Sequence, residues 1–203
     1  MSDPLHIPFV HFQNRHNKTF EFAFVSNWEW LIEDAPMDHD PFRPHRLQFY
    51  ALLYIMEGRG RHYIDFKSYD YQKGSIIFIS KDQVHAFEKN LEREAFLLLF
   101  TKNFLERSSL ASNLMQQLSL YNYHLYPPVI NLNERERLVF SELMLRTRDE
   151  YLAPDDQLTE EIIQSALKIL LCLAERIRKK NRADQAPSKY QEDFLQFQQL
   201  LND

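Results

Sequence analysis

The stretch between residues 42 and 100 constrains the fold most, because it carries a succession of short strand-like segments separated by turn signals. Arg46-Leu-Gln-Phe-Tyr-Ala-Leu-Leu-Tyr-Ile-Met-Glu57 is aromatic and aliphatic, lacks Gly and Pro, and ends at Gly58-Arg-Gly60. Residues 61–71 form a second run of this kind. Lys73-Gly74 introduces a third over 75–80, a fourth covers 84–87, and a fifth covers 94–100. Short strands rich in β-branched and aromatic residues, punctuated regularly by turn residues, predict an antiparallel sandwich or barrel.

Successive Cβ atoms alternate across a strand. His45, Leu47, Phe49, Ala51, Leu53 and Ile55 therefore share one face, and Arg46, Gln48, Tyr50, Leu52, Tyr54 and Met56 the other. A hairpin at Glu57-Gly-Arg-Gly60 that pairs residues 57 and 60 sets Ile55 opposite His62 and Leu53 opposite Ile64. His62, Ile64 and Phe66 then join the first face. The chain has three glycines, Gly58, Gly60 and Gly74. All three are read as turn residues that supply positive φ.

Residues 1–19 are polar and read as an arm. Phe20, Phe22 and Phe24 alternate in a strand, and Trp28 and Trp30 repeat the pattern before a loop over 33–44 that contains three prolines. After Phe100 the period becomes helical. A short helix is expected over 102–107 and another over 109–120, with Leu110, Leu114 and Leu118 at spacing four. Residues 121–128 break the pattern, and Asn133 with Glu136 forms a capping pair that opens a helix over 134–151. A longer helix is expected over 157–180. Its apolar residues Leu158, Ile162, Ile163, Ala166, Leu167, Leu170, Leu173, Ala174 and Ile177 make a stripe wide enough to meet both the sheet and a second subunit. Ile163, Leu167, Leu170 and Leu171 are the expected dimer contacts.

Arg176-Ile-Arg-Lys-Lys-Asn-Arg182 is densely basic. It reads as favourable cations at a helix C-terminus, with phosphate contact as the alternative. Residues 181–189 resemble a linker, and 190–201 resume a helical pattern.

The net charge of -5 lacks the footprint of a nucleic-acid binder. The single cysteine, Cys172, excludes an intrachain disulfide and a thiolate zinc cluster, and reads as a buried structural thiol. The N-terminus has neither the basic nor the apolar part of a secretory signal, and no apolar run approaches the roughly 20 residues of a membrane span. A soluble cytoplasmic protein without a membrane partner is expected. No phosphate-cradling loop, nucleophile elbow or zinc-protease helix motif is present. His45, His62 and His85 are the candidate metal ligands of the β core, since imidazole suits several transition metals. Their face carries no Asp or Glu on the central strand, so core or pocket-rim histidines are expected, with no metal and no cofactor.

Pro44-His-Arg-Leu-Gln-Phe-Tyr50, Ile55-Met-Glu-Gly-Arg-Gly60, Tyr63-Ile-Asp65 and the segment over 73–87 together resemble the N-terminal sensor domain of AraC-type transcription regulators. The likeness covers roughly residues 20–180. It implies a cupin fold, a small double-stranded β-helix barrel, followed by helices that commonly dimerise. Cupin enzymes carry a His-x-His plus Glu metal set and one further His. Here His45 and His85 match the first and last of those positions, while Leu47 and Ala51 stand where the second His and the Glu would be. The resemblance thus implies a binding barrel rather than an enzyme. It also implies that DNA is contacted through a C-terminal helix-turn-helix domain outside these residues.

The expectation is an α+β chain: an arm over 1–19, a cupin-like jelly-roll barrel over 20–101, a helical dimerisation region over 102–181, and a linker with the start of a DNA-binding domain over 182–203. The barrel is expected to bind a small-molecule effector, a sugar or other small metabolite, through His45, Phe49, His62, His85 and Phe87, with Trp30 and Arg43 at the margin. The chain is expected to be a homodimer. The alternative is a metal-dependent cupin enzyme, an isomerase or dioxygenase.

Overall fold

A computed structural model describes residues 7–14, 16–26, 40–89, 93–107 and 114–183. Two five-stranded sheets carry the β residues. The first has the order β1 (Phe9–Val10), β3 (His45–Leu47), β8 (Val84–Phe87), β5 (Arg59–Ile64) and β6 (Lys67–Gln72). The second has the order β10 (Val129–Asn131), β7 (Ser75–Ile79), β4 (Tyr50–Glu57), β9 (Glu94–Phe100) and β2 (Phe22–Val25). β1 pairs with β3 in parallel; the other described pairs are antiparallel. Among the described residues no ladder joins the two sheets, and the architecture is α+β, two facing sheets followed by helices.

β4 lies at the centre of the second sheet and shows why its sequence lacks polar alternation. Ala51, Leu53 and Ile55 pack with Leu47, Phe49, Ile64 and Phe87 in the core between the sheets. Leu52 and Tyr54 point the other way, into a core shared with Phe140, Leu167 and Leu170 of the helices. Both faces are buried, so both are apolar.

Residues 46–57 are nevertheless not one strand. The chain leaves the first sheet after Leu47 and enters the second at Tyr50. The Gln48 amide bonds the Val10 carbonyl at 2.9 Å, and its side chain donates to Asp82 at 2.7 Å, which stabilises the crossing. The inward face survives the crossing, because Phe49 stays buried between Leu47 and Ala51.

The expected hairpin at residues 57–60 does not form. β4 and β5 belong to different sheets, so Ile55 lies opposite Ala95, and Leu53 opposite Ile77 and Leu97. Gly58 has φ 93° and makes the crossing. Gly60 is a strand residue opposite Tyr71. A Cβ there would lie 2.6 Å from the Tyr71 hydroxyl and 2.9 Å from a Glu88 carboxylate oxygen, so close approach rather than a turn explains this glycine.

The run over 61–71 is in fact two strands, β5 and β6, joined at Asp65 and Phe66, both with positive φ (47° and 64°). This two-residue turn has the geometry usually taken by Asn-Gly or Asp-Gly. Here the Asp65 carboxylate fixes it by accepting from the Val84 amide at 3.1 Å and the Gln83 side chain at 2.8 Å. Phe66, expected inside, is 81% exposed at the turn.

Helix α1 (Lys102–Glu106) is capped by Thr101, whose hydroxyl oxygen accepts from the Phe104 amide at 3.1 Å. Helix α2 (Leu114–Gln117) is the described part of the expected 109–120 helix; residues 108–113 lie outside the described residues. Helix α3 (Glu134–Leu152) opens with the expected capping box. The Asn133 side chain accepts from the Glu136 amide at 2.9 Å, and the Glu136 carboxylate accepts from the Asn133 amide at 3.0 Å.

Helix α4 (Thr159–Ala183) corrects two expectations. Ile163, Leu167, Leu170 and Leu171 are all 0% exposed and belong to the core between α4, α3 and the second sheet. They fasten the helix to its own chain and, at 0% exposure, have no surface to offer another. Cys172, expected to be buried, is exposed.

The N-terminal residues are tied both to the first sheet and to the connection between α3 and α4. β1 joins the first sheet, and Phe12 meets Phe49 edge to face at 5.5 Å. The buried Lys18 ammonium pairs with Asp155 and reaches the Ala153 carbonyl in the connection between α3 and α4. The expected Trp28–Trp30 strand, most of the 33–44 loop and the 190–201 helical pattern lie outside the described residues.

Candidate functional site

The inner face of the first sheet places three histidines in a row, and pairing register explains why. His45 on β3 is directly opposite His85 on β8, and their ring centroids are 4.1 Å apart. His85 is opposite Ile64 on β5, and His62, two residues before it, is opposite Phe87. Side chains on one face of neighbouring strands meet as direct and diagonal pairs. His62 accordingly stacks against His85 at 5.4 Å and takes Phe87 edge to face at 4.7 Å. All three imidazoles are buried.

Their environments differ. His45 Nδ1–H donates to the Arg43 carbonyl at 2.9 Å, which sets its tautomer, since a carbonyl can only accept. His62 is completely buried, and neither ring nitrogen has a hydrogen-bond partner among the described residues. Burial foremost, then the charge of Arg93 and the neighbouring His45, lowers its pKa to about 3. His62 is therefore neutral near pH 7 and presents one donor and one acceptor in an apolar surround.

Arg93 is a functional candidate that the sequence did not reveal. It is buried, its guanidinium donates to the Tyr71 hydroxyl, and it lies 5.5 Å from the centre of the Phe87 ring and 5.6 Å from that of Tyr71. It follows a charged segment that has no strand pattern, and such positions are ordinarily solvated. Tyr71 had a usable signal, because strand periodicity would place it with Tyr69 once the turn at Asp65–Phe66 is recognised.

The structure brings His45, His62, His85 and Phe87 together, and Phe49 shares their core between the sheets. It does not bring Arg43 to them. That side chain is exposed and pairs with Asp40 at 3.6 Å, so only the Arg43 carbonyl contributes. Trp30 lies outside the described residues. Among the described residues no group of three or more His, Cys, Asp or Glu is arranged to hold a metal ion.

Two facing sheets followed by a helix pair, with a buried polar cluster on one inner face, define a domain of the α+β class. The family model for the AraC-like ligand binding domain matches residues 31–167, and the chain belongs to that family. Among solved structures it is similar to ToxT K231A from Vibrio cholerae, at 13% identity over 80% of this chain and 58% of that one, with a TM-score of 0.44. A second ToxT structure from Vibrio cholerae gives 15% identity over 79% and 57%, with a TM-score of 0.39. The AraC-like transcriptional activator CuxR gives 13% identity over 64% and 42%, with a TM-score of 0.36. The chain thus spans less than two thirds of the length of these proteins. No curated protein matches it. No helix of the described residues is long and apolar enough to cross a membrane.

Proposed function

We propose that this chain is the effector-sensing and dimerisation part of an AraC-type transcription regulator, and that it holds a small metabolite at the inner face of the first sheet. The observation that carries the reading is His62, neutral and fully buried with both ring nitrogens unpartnered among the described residues. Leaving a buried polar group unsatisfied costs about 1–3 kcal/mol. A ligand hydroxyl or carbonyl placed against His62 recovers that energy, whereas an apolar molecule does not. His45, His85, Phe87 and Phe49 supply the remaining walls, and a sugar or another small polar metabolite suits such a lining.

The response would be a population shift. The N-terminal residues connect the site to the helices, since Phe12 contacts Phe49 at one end and Lys18 pairs with Asp155 at the other. An effector that alters the packing at Phe49 would favour one arrangement of this segment and of the α3–α4 pair. Two DNA-binding domains, each C-terminal to a chain of this kind, would be repositioned in a homodimer.

The test is a thermal-shift screen of sugars and other small metabolites against the chain and its His62→Leu variant. The effector raises the melting temperature of the unmodified chain, and His62→Leu weakens its binding about tenfold, the consequence of losing one buried hydrogen bond. If no metabolite binds, or a bound one leaves the operator affinity of the regulator unchanged, the sensing role is wrong.

A further inference from the structure

The basic cluster over 176–182 divides in the fold, and its parts do different things. Arg178 turns inward: its guanidinium donates to both carboxylate oxygens of Glu175 at 2.9 Å and to the Ser119 carbonyl, and lies 4.2 Å from the centre of the Tyr126 ring. Lys179 lies 3.6 Å from the same Glu175. Arg176 and Lys180, one helical turn apart, face a different way. With Arg135 from the first turn of α3 they border a groove of about 330 Å³ between the start of α3 and the end of α4.

The groove is amphipathic. Val139, Leu173 and Ile177 supply apolar wall, and the only acid among its lining residues is Glu136. That carboxylate is already engaged, capping α3 through the Asn133 amide and lying 3.6 Å from Lys180. Arg135 and Arg176 form no ion pair among the described residues. Two guanidinium groups on either side of an apolar trough, in a chain whose net charge is -5, make a local positive field that the overall composition hides.

We propose that this groove is a second ligand site, distinct from the histidine row, and that it takes a small organic carboxylate with an apolar body. Arg135 and Arg176 would hold the carboxylate, a group whose planar geometry matches the guanidinium fork. The body would lie against Val139, Leu173 and Ile177. The volume is at the lower end of that of small-molecule sites. Inorganic phosphate lacks the apolar body and would bind weakly. Because both long helices line the groove, a bound ligand would clamp the end of α4 to the start of α3.

The experiment uses the 203-residue chain and 4-phenylbutyrate as probe, followed by NMR amide shifts and calorimetry, with 4-phenylbutan-1-ol as its uncharged counterpart. The expected result is saturable binding with shifts at Asn133, Val139, Leu173 and Ile177. The alcohol binds at least about fivefold more weakly, and Arg176→Gln weakens the carboxylate by a similar factor, the effect of removing one partly exposed charge-assisted contact. Arg176→Gln lies on the surface and leaves the fold intact, which unchanged amide dispersion verifies. Equal binding of acid and alcohol, or indifference to Arg176→Gln, overturns the assignment. Shifts confined to His62 and Phe87 also overturn it, while leaving the effector reading untouched.

Discussion

The Phe87 ring meets the His62 imidazole edge to face at 4.7 Å, at the point where β8 pairs with β5 inside the molecule. An imidazole so enclosed resists protonation, and its pKa falls from 6.5 to about 3. Between those values the unfolded chain binds a proton that the folded chain refuses. The stability linked to His62 is therefore complete above pH 6.5 and is lost progressively as pH falls toward 3. His62→Leu removes this dependence. At pH 7 it should stay within about 1 kcal/mol of the unmodified chain, because an apolar group replaces a polar one without partners. Urea denaturation at pH 7 and at pH 4.5 checks both points: the unmodified chain should lose more stability between them than the variant. Equal losses would show that His62 is protonated in the folded state.

A second prediction concerns Lys18 and Asp155, which meet across 137 positions of the chain. The Lys18 side chain is 3% exposed and that of Asp155 is 40% exposed, so the two partners are not equivalent. Lys18→Met removes the buried charge and leaves an aspartate that water can solvate, at a cost of about 1 kcal/mol. Asp155→Ala strands the ammonium, which among the described residues then keeps the Ala153 carbonyl and the faces of Tyr151 and Phe20, and should cost about 2–3 kcal/mol. Chemical denaturation of the two variants should give that order. The reverse order would mean that Lys18 escapes to solvent.

Particular residues show where sequence reading succeeds and where it stops. The inward set Leu47, Phe49, Ala51, Leu53 and Ile55 follows from period-2 alternation alone, and the β3–β4 crossing does not disturb it. Asn133 and Glu136 announce the start of α3 because a capping box is a local interaction. Strand partners are not local. Nothing near Gly58 states that β4 and β5 separate into different sheets, so alternation puts His62 on the correct side while a 57–60 hairpin gives it the wrong strand partner. The turn at Asp65–Phe66 was hidden because its stabilising partners, Gln83 and Val84, lie far along the chain. Arg93 could not be anticipated, since a charged residue in a charged segment gives no sign that it will be buried. On α4 the apolar stripe was legible, but its division between own core and surface depends on where the sheet lies.

That division leads to a prediction about assembly. Ile162 and Ile169 remain exposed, and with Cys172 they follow each other at spacings of seven and three, which places them along one face of α4, with exposed Leu158 just before its first turn. If the chain is a homodimer, as proposed, this face is the better candidate for the contact than the buried quartet. Ile169→Glu, at a residue 48% exposed, should leave the fold intact and shift the mass measured by light scattering from dimer to monomer. Leu167→Glu, at a residue 0% exposed, should instead unfold the chain, because an unpaired carboxylate would be driven into the core. A folded Leu167→Glu monomer beside an unaffected Ile169→Glu dimer would restore the interface first inferred from the sequence. A monomeric unmodified chain would remove the dimer from the proposed mechanism.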